Sequence, residues 1–271
     1  MRIETIELKN FYPQIAETGA NPTLELMIQE GEKLRPLVFI LPGGGYSMTA
    51  RAEGQNVGME FLPIGCNVAV LHYSVKPFAY PTQLVEVACG LDYIINREDE
   101  LKCDKEKIAI SGFSAGGHLA ACYCTIRNDA AVLEKFPNPH PVQAAILGYP
   151  CIYFNEKISF ALRNLTGKEE PTREDAEHFS VNLHVNSEIT PPTFIFMSAE
   201  DSILETGHTL EYGKALSKAK IPFELHILPF GYHGLSTSNY GTVEGYKDRG
   251  IAHFSSWCEL ARKWLRLTFD F

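Results

Sequence analysis

The sequence predicts an α/β protein: a mostly parallel central sheet with helices on both faces. Three observations carry this. Apolar, β-rich runs alternate with segments of helical periodicity along nearly the whole chain. The runs are apolar at consecutive positions, as in strands covered on both faces, where a half-exposed strand would alternate. No repeat or low-complexity linker divides the 271 residues, so a single domain spanning 1–271 is expected.

Residues 1–30 are more polar and suit antiparallel edge strands. The apolar runs follow as LRPLVFILP (34–42), CNVAVLHYSV (66–75), KIAIS (107–111), VQAAILGYP (142–150), PTFIFMSAE (192–200) and FELHILPF (223–230). Helical segments lie between them at 52–65, 82–98, 114–126 and 205–219, and a last one at 254–269. The clearest is 82–98, where Leu84, Val87, Ala88, Leu91 and Ile94 fall on one stripe.

Residues 151–190 break the rhythm. About 40 residues is too long for an ordinary connection between core strands, so a small cap over a site is expected there. Within it Thr172 is placed to cap a short helix starting near Arg173. The segment 231–250 is polar and glycine-rich and reads as a surface loop.

Net charge is −9, with Lys and Arg scattered, which leaves no electrostatic footprint for nucleic acid or anionic membrane. The opening MRIETIELKN lacks the apolar stretch and small-residue cleavage site of a signal peptide. No apolar run reaches the roughly 20 residues that span a bilayer. The seven cysteines are odd in number and sit in apolar stretches without a CxxC pair, as buried free thiols do. A reduced, cytoplasmic protein is expected.

Chemistry concentrates at strand ends. GFSAGG (112–117) directly follows KIAIS and opens a helical segment, the strand–turn–helix context that gives G-x-S-x-G its meaning. Its glycines permit a sharp turn from which the Ser114 Oγ projects, beside N–H groups that favour a developing negative charge. The rival reading is a chance match in a loop. LPGGGYS (41–47) ends the first apolar strand, and bare backbone there lets N–H groups reach a substrate oxygen. An oxyanion hole of Gly44, Gly45 and Ala115 is expected; a phosphate loop is excluded because neither Gly-Lys-Ser/Thr nor GxGxxG is present.

Serine needs a base. Of nine histidines, His233 lies in a glycine-flanked loop just past the last core strand, while His72, His118, His208, His226 and His253 fall within strands or helices. His118, one turn after Ser114, is a candidate supporting residue. The orienting acid is Glu200 or Asp201, at the end of FIFMSAED. Tyr46 and Tyr232, adjoining the glycines and His233, are candidate substrate contacts.

The order Ser, acid, His, each after a separate strand, resembles the α/β-hydrolase superfamily. More narrowly, the chain resembles the acetyl esterase and sugar (xylan) esterase branch related to hormone-sensitive lipase, through LPGGGYSMTARAEG, AVLHYSV, KIAISGFSAGGHLAA, SAEDSILETGHTLEYGKAL and LPFGYHGLS. The resemblance implies an α/β-hydrolase fold with a small cap and favours Asp201 over Glu200. It further implies a serine carboxylesterase acting on short acyl esters, especially acetyl, of sugars or small alcohols. Pro42 replaces the histidine usual in lipase-like members, which moves the expectation toward the sugar-esterase side. Glu53 falls where this branch often has a carboxylate; a plain helix-start role is equally open. No metal or organic cofactor is needed, and the expected partner is a small-molecule ester, with homo-oligomerisation left open. An arylformamidase or peptidase-like amide hydrolase on the same three residues, or a non-catalytic binding module, are the alternatives.

Overall fold

A computed structural model describes residues 1–155, 159–238 and 249–271. Eight strands form one sheet: β1 (Arg2–Glu7), β2 (Thr23–Ile28), β3 (Arg35–Leu41), β4 (Asn67–His72), β5 (Cys103–Phe113), β6 (Ala144–Gly148), β7 (Thr193–Ser198) and β8 (Phe223–Leu228). Their spatial order is β1-β2-β4-β3-β5-β6-β7-β8. The two N-terminal strands pair antiparallel, β1 with β2 and β2 with β4, and every later pairing is parallel. The polar opening residues therefore do supply the antiparallel edge.

The continuous apolar character of the core strands follows from their two covered faces. Leu37, Phe39 and Leu41 of β3 pack into one core with the helices Thr82–Ile95, Ala115–Ile126 and Gly207–Lys218. Val38 and Ile40 turn the opposite way, toward the helices Gln55–Phe61 and Ser256–Phe269. Side chains alternate across a strand, so each face needs its own apolar set. Complete burial of each such side chain stabilises the fold by about 1.5–3 kcal/mol before entropy is counted.

The interval 151–190 holds the helices Ser159–Thr166 and Arg173–His178, with residues 156–158 outside the described part. Thr172 caps the second helix as expected: its hydroxyl accepts from the Asp175 N–H, and the Asp175 carboxylate accepts from the Thr172 N–H in return. The surface-loop reading of 231–250 needs correction for its first part. Leu235, Ser236, Thr237 and Ser238 are buried; Ser236 bonds Tyr149, Ala52 and Trp257, and buried polar groups with partners cost little. Residues 239–248 lie outside the described part.

All seven cysteines are buried and free. Among the described residues, no helix is long and apolar enough to cross a membrane.

Candidate active site

The carboxyl ends of the parallel strands converge where the order reverses around β3, the usual position of a site in an open α/β sheet. Ser114 follows β5 and caps the helix Ala115–Ile126 with φ 52° and ψ −119°, a conformation rare for a residue with a side chain. The neighbouring glycines explain how the turn survives. A Cβ on Gly112 would sit 2.2 Å from the Gly116 oxygen, and one on Gly116 would sit 2.1 Å from the Leu41 oxygen. The elbow is tied to β6 from both sides, Ser114 N donating to the Gly148 oxygen and Cys151 N to the Ser114 oxygen.

His233, in the loop after β8, places Nε2 2.8 Å from Ser114 Oγ. Its Nδ1 lies 2.7 Å from Asp201 Oδ2. An ionised carboxylate only accepts, so Nδ1 carries the proton and Nε2 is left to accept from the serine. The other Asp201 oxygen accepts from Ile203 N and Leu204 N, both at 2.9 Å, which fixes the carboxylate without help from solvent. Glu200, the sequence alternative, is exposed and accepts from Gly231 N instead.

The glycine loop faces the serine. Gly44 (φ +132°) and Gly45 (φ +61°) adopt conformations that disfavour side chains, and a Cβ on Gly43 would come 2.9 Å from Ser114 Cβ. Among the described residues, no protein acceptor takes the N–H of Gly44, Gly45 or Ala115. These groups border a cavity of about 330 Å³, lined also by Ser114, His233, Met48, Cys151, Phe160 and Leu204. The lining is largely apolar, and Ser114, His233 and Glu53 are its hydrogen-bonding side chains.

Two sequence candidates do not join this cavity. Tyr46 is 1% exposed, and its ring turns into the core with the hydroxyl 2.6 Å from His118 Nδ1. Tyr232 is half exposed and is not part of the cavity lining. His118 is wholly buried; its Nε2 donates to the Phe179 carbonyl at 2.8 Å, which leaves Nδ1 to accept from Tyr46. Burial pushes its pKa down to about 4, so it stays neutral and bridges the glycine loop, the central helix and the 151–190 interval.

Sequence similarity points the same way as this geometry. The sequence model of the BD-FAE family matches residues 24–216, well over half of the chain.

The chain belongs to the BD-FAE family.

Of this BD-FAE chain's relatives, "Endo-1,4-beta-xylanase B" of Butyrivibrio fibrisolvens is 30% identical over 90% of the chain but 39% of the relative. "Acetylxylan esterase" of Xylanibacter ruminicola is 26% identical over 95% of the chain and 52% of that protein. The chain thus spans about half or less of these relatives. Among solved structures, the acetyl ester-xyloside bifunctional hydrolase of Caldicellulosiruptor lactoaceticus superposes with a TM-score of 0.82 at 28% identity, over 98% of this chain and 96% of that one. The α/β hydrolase MGS-M1, from a Medee basin deep-sea metagenome library, gives 0.76 at 28% identity, over 100% and 99%. The fold of the BD-FAE chain is accordingly the α/β-hydrolase fold expected from the sequence.

Phe160, Asn164 and Tyr149 carried no sequence signal strong enough to single them out, and Glu53 was marked only by the family resemblance, with no partner named. Phe160 reaches the glycine loop from the 151–190 interval, where a Cβ on Gly45 would meet its ring at 2.7 Å, and Asn164 Nδ2 donates to the Gly45 oxygen at 2.8 Å. Tyr149, at the end of β6, reads as one more apolar strand residue, yet its ring stands edge-on to His233 at 5.1 Å. Glu53 is not a simple helix-start carboxylate. It is buried, and its two oxygens accept from Gly43 N and Tyr149 OH, each at 2.7 Å.

Proposed function

We propose that this chain is a serine carboxylesterase that hydrolyses acetyl esters of sugars or other small alcohols, with Ser114, His233 and Asp201 as the catalytic triad. The observation that carries the reading is the hydrogen-bonded series Ser114 Oγ, His233 Nε2 and Nδ1, and Asp201 Oδ2, opening onto a cavity bordered by three N–H groups that have no acceptor among the described residues. In this reading His233 removes the Ser114 proton as Oγ attacks the ester carbonyl. The N–H groups of Gly44, Gly45 and Ala115 hold the oxyanion. His233 then protonates the departing alcohol, and water releases the acetate by the same route. Asp201 holds the imidazole in the tautomer that can accept and stabilises the imidazolium.

The acyl and alcohol classes rest on relatives. One curated relative is named an acetylxylan esterase, and a structural neighbour is described as an acetyl ester-xyloside hydrolase. We also propose that residues 151–190 form a cap, which the contacts of Phe160 and Asn164 with Gly45 support. A cytoplasmic setting, with short acetylated saccharides as substrates, fits the same reading.

The test is a substrate panel: acetylated xylo-oligosaccharides, p-nitrophenyl acetate, N-formylkynurenine and a peptide amide, compared by kcat/KM. Acetate release should dominate. Formamide or amide cleavage with acetyl esters untouched would overturn the proposal.

A further inference from the structure

Tyr149 and Glu53 do more at this site than fill space. Resting on the triad reading above, we infer that they are positioning residues that brace the oxyanion loop against the histidine loop through one buried hydrogen-bond chain.

The chain can be followed bond by bond. Gly43 N, one residue before the oxyanion glycines, donates to Glu53 Oε2 at 2.7 Å. The Tyr149 hydroxyl donates to Glu53 Oε1 at 2.7 Å and accepts from Ser236 N at 3.0 Å. Ser236, three residues after His233, returns its own hydroxyl to the Ala52 oxygen at 2.6 Å. Its carbonyl accepts from Trp257 Nε1 at 2.9 Å. Every bond of the series therefore joins the two loops or anchors one of them.

Tyr149 also meets the third part of the site. Its backbone lies between Gly148 and Cys151, whose O and N bond Ser114. Its ring contacts the His233 imidazole. One side chain thus touches the histidine, and its backbone frames the nucleophile elbow. Through Glu53 its hydroxyl reaches the oxyanion loop.

Backbone strain supports a positioning role. Tyr149 has φ +34° and Ser236 φ +52°, conformations that residues with side chains adopt only where surroundings over-determine them. Both Glu53 and Tyr149 are buried, so each bond lost leaves an uncompensated polar group and the loops must shift to recover one. A shift of about 1 Å at a reacting centre costs on the order of 100-fold in rate.

The test uses the full chain and three variants. Tyr149→Phe deletes only the hydroxyl. Glu53→Gln keeps the size but replaces one of the two accepting oxygens by a donating NH2 group, and it carries the test by itself should Tyr149→Phe not fold. Tyr123→Phe is the control, an equally buried tyrosine whose hydroxyl donates to the His140 carbonyl and bonds neither site loop. Active sites are counted with a fluorophosphonate, and kcat, KM and the affinity for a trifluoromethyl ketone are measured well below the unfolding midpoint. The ketone forms a tetrahedral adduct with its oxygen in the oxyanion site. With the brace removed, kcat for p-nitrophenyl acetate should fall about 100-fold in Tyr149→Phe and Glu53→Gln, with KM within about twofold and ketone affinity falling in parallel. The control should keep wild-type kcat. Both variants folded with kcat and ketone affinity within about twofold of wild type would overturn the brace while leaving the triad standing. A wild-type chain inactive on every ester would overturn the triad reading and the brace with it.

Discussion

Asp201→Asn isolates the orienting bond with almost no change in shape. In the native chain Asp201 Oδ1 accepts from Ile203 N and Leu204 N, while Oδ2 accepts from His233 Nδ1. An asparagine keeps an oxygen only where those two N–H groups point, so its NH2 group must face the imidazole. His233 then adopts the tautomer with the proton on Nε2, which donates toward Ser114 and cannot take its proton. A wrong tautomer in this arrangement costs about 10⁴-fold in kcat, a barrier increase of about 5 kcal/mol. The unfolding midpoint should move little, because volume and bond number are retained. The assay is kcat on p-nitrophenyl acetate, normalised to refolded, circular-dichroism-verified protein. An Asp201→Asn enzyme within tenfold of wild-type kcat would refute the assigned role of Asp201.

Two further outcomes follow from local geometry. Gly45→Ala should reduce both stability and kcat/KM, since its φ of +61° strains any side chain and the new Cβ would lie 2.7 Å from Phe160 Cε2; adding Phe160→Ala should restore the part due to the clash, read by urea unfolding, and no recovery would contradict that assignment. Burial pushes the Glu86 pKa up to about 7 from the ordinary 4.5 of a glutamate, so the folded state holds this proton more tightly than the unfolded chain. The resulting stability is complete below about pH 4.5 and is lost as pH rises through about 7, by about 3 kcal/mol. Glu86→Gln should flatten that fall in urea titrations at pH 5 and pH 8, and parallel profiles for the two proteins would contradict the shift.

The sequence made the architecture legible because one physical pattern was written repeatedly. Strands such as Leu37–Leu41 are apolar at every position only because both faces are covered, and that is visible without any contact map. Ser114 was legible for a similar reason: its positive φ forces small residues at Gly112 and Gly116, and these leave a motif. The topology of strand ends pointed to His233 and to Glu200 or Asp201, and the family resemblance favoured Asp201, the residue whose carboxylate meets His233. What stayed hidden was joined across long stretches of chain. The Glu53–Tyr149 bond spans 96 residues and the Tyr149–Ser236 bond 87; the resemblance marked Glu53, but nothing near it in the sequence points to Tyr149 or Ser236. Composition also misjudged burial where polar residues are satisfied internally, as at Ser236 to Ser238. Tyr46 departs from its expected place for a related reason: adjacency to the glycine loop says nothing of side-chain direction, and at φ +57° its ring turns inward to His118.

In the proposed reaction Ser114 attacks the ester and carries the acyl group. The most direct measurement is rapid acid quench of the enzyme during turnover of p-nitrophenyl acetate, followed by peptide mass mapping, with Ser114→Ala run in parallel. An acetyl group should appear on the peptide at Ser114, and the alanine variant should show no turnover. Acetate release at near-wild-type rate by Ser114→Ala, or an acyl group mapped to another residue, would contradict it.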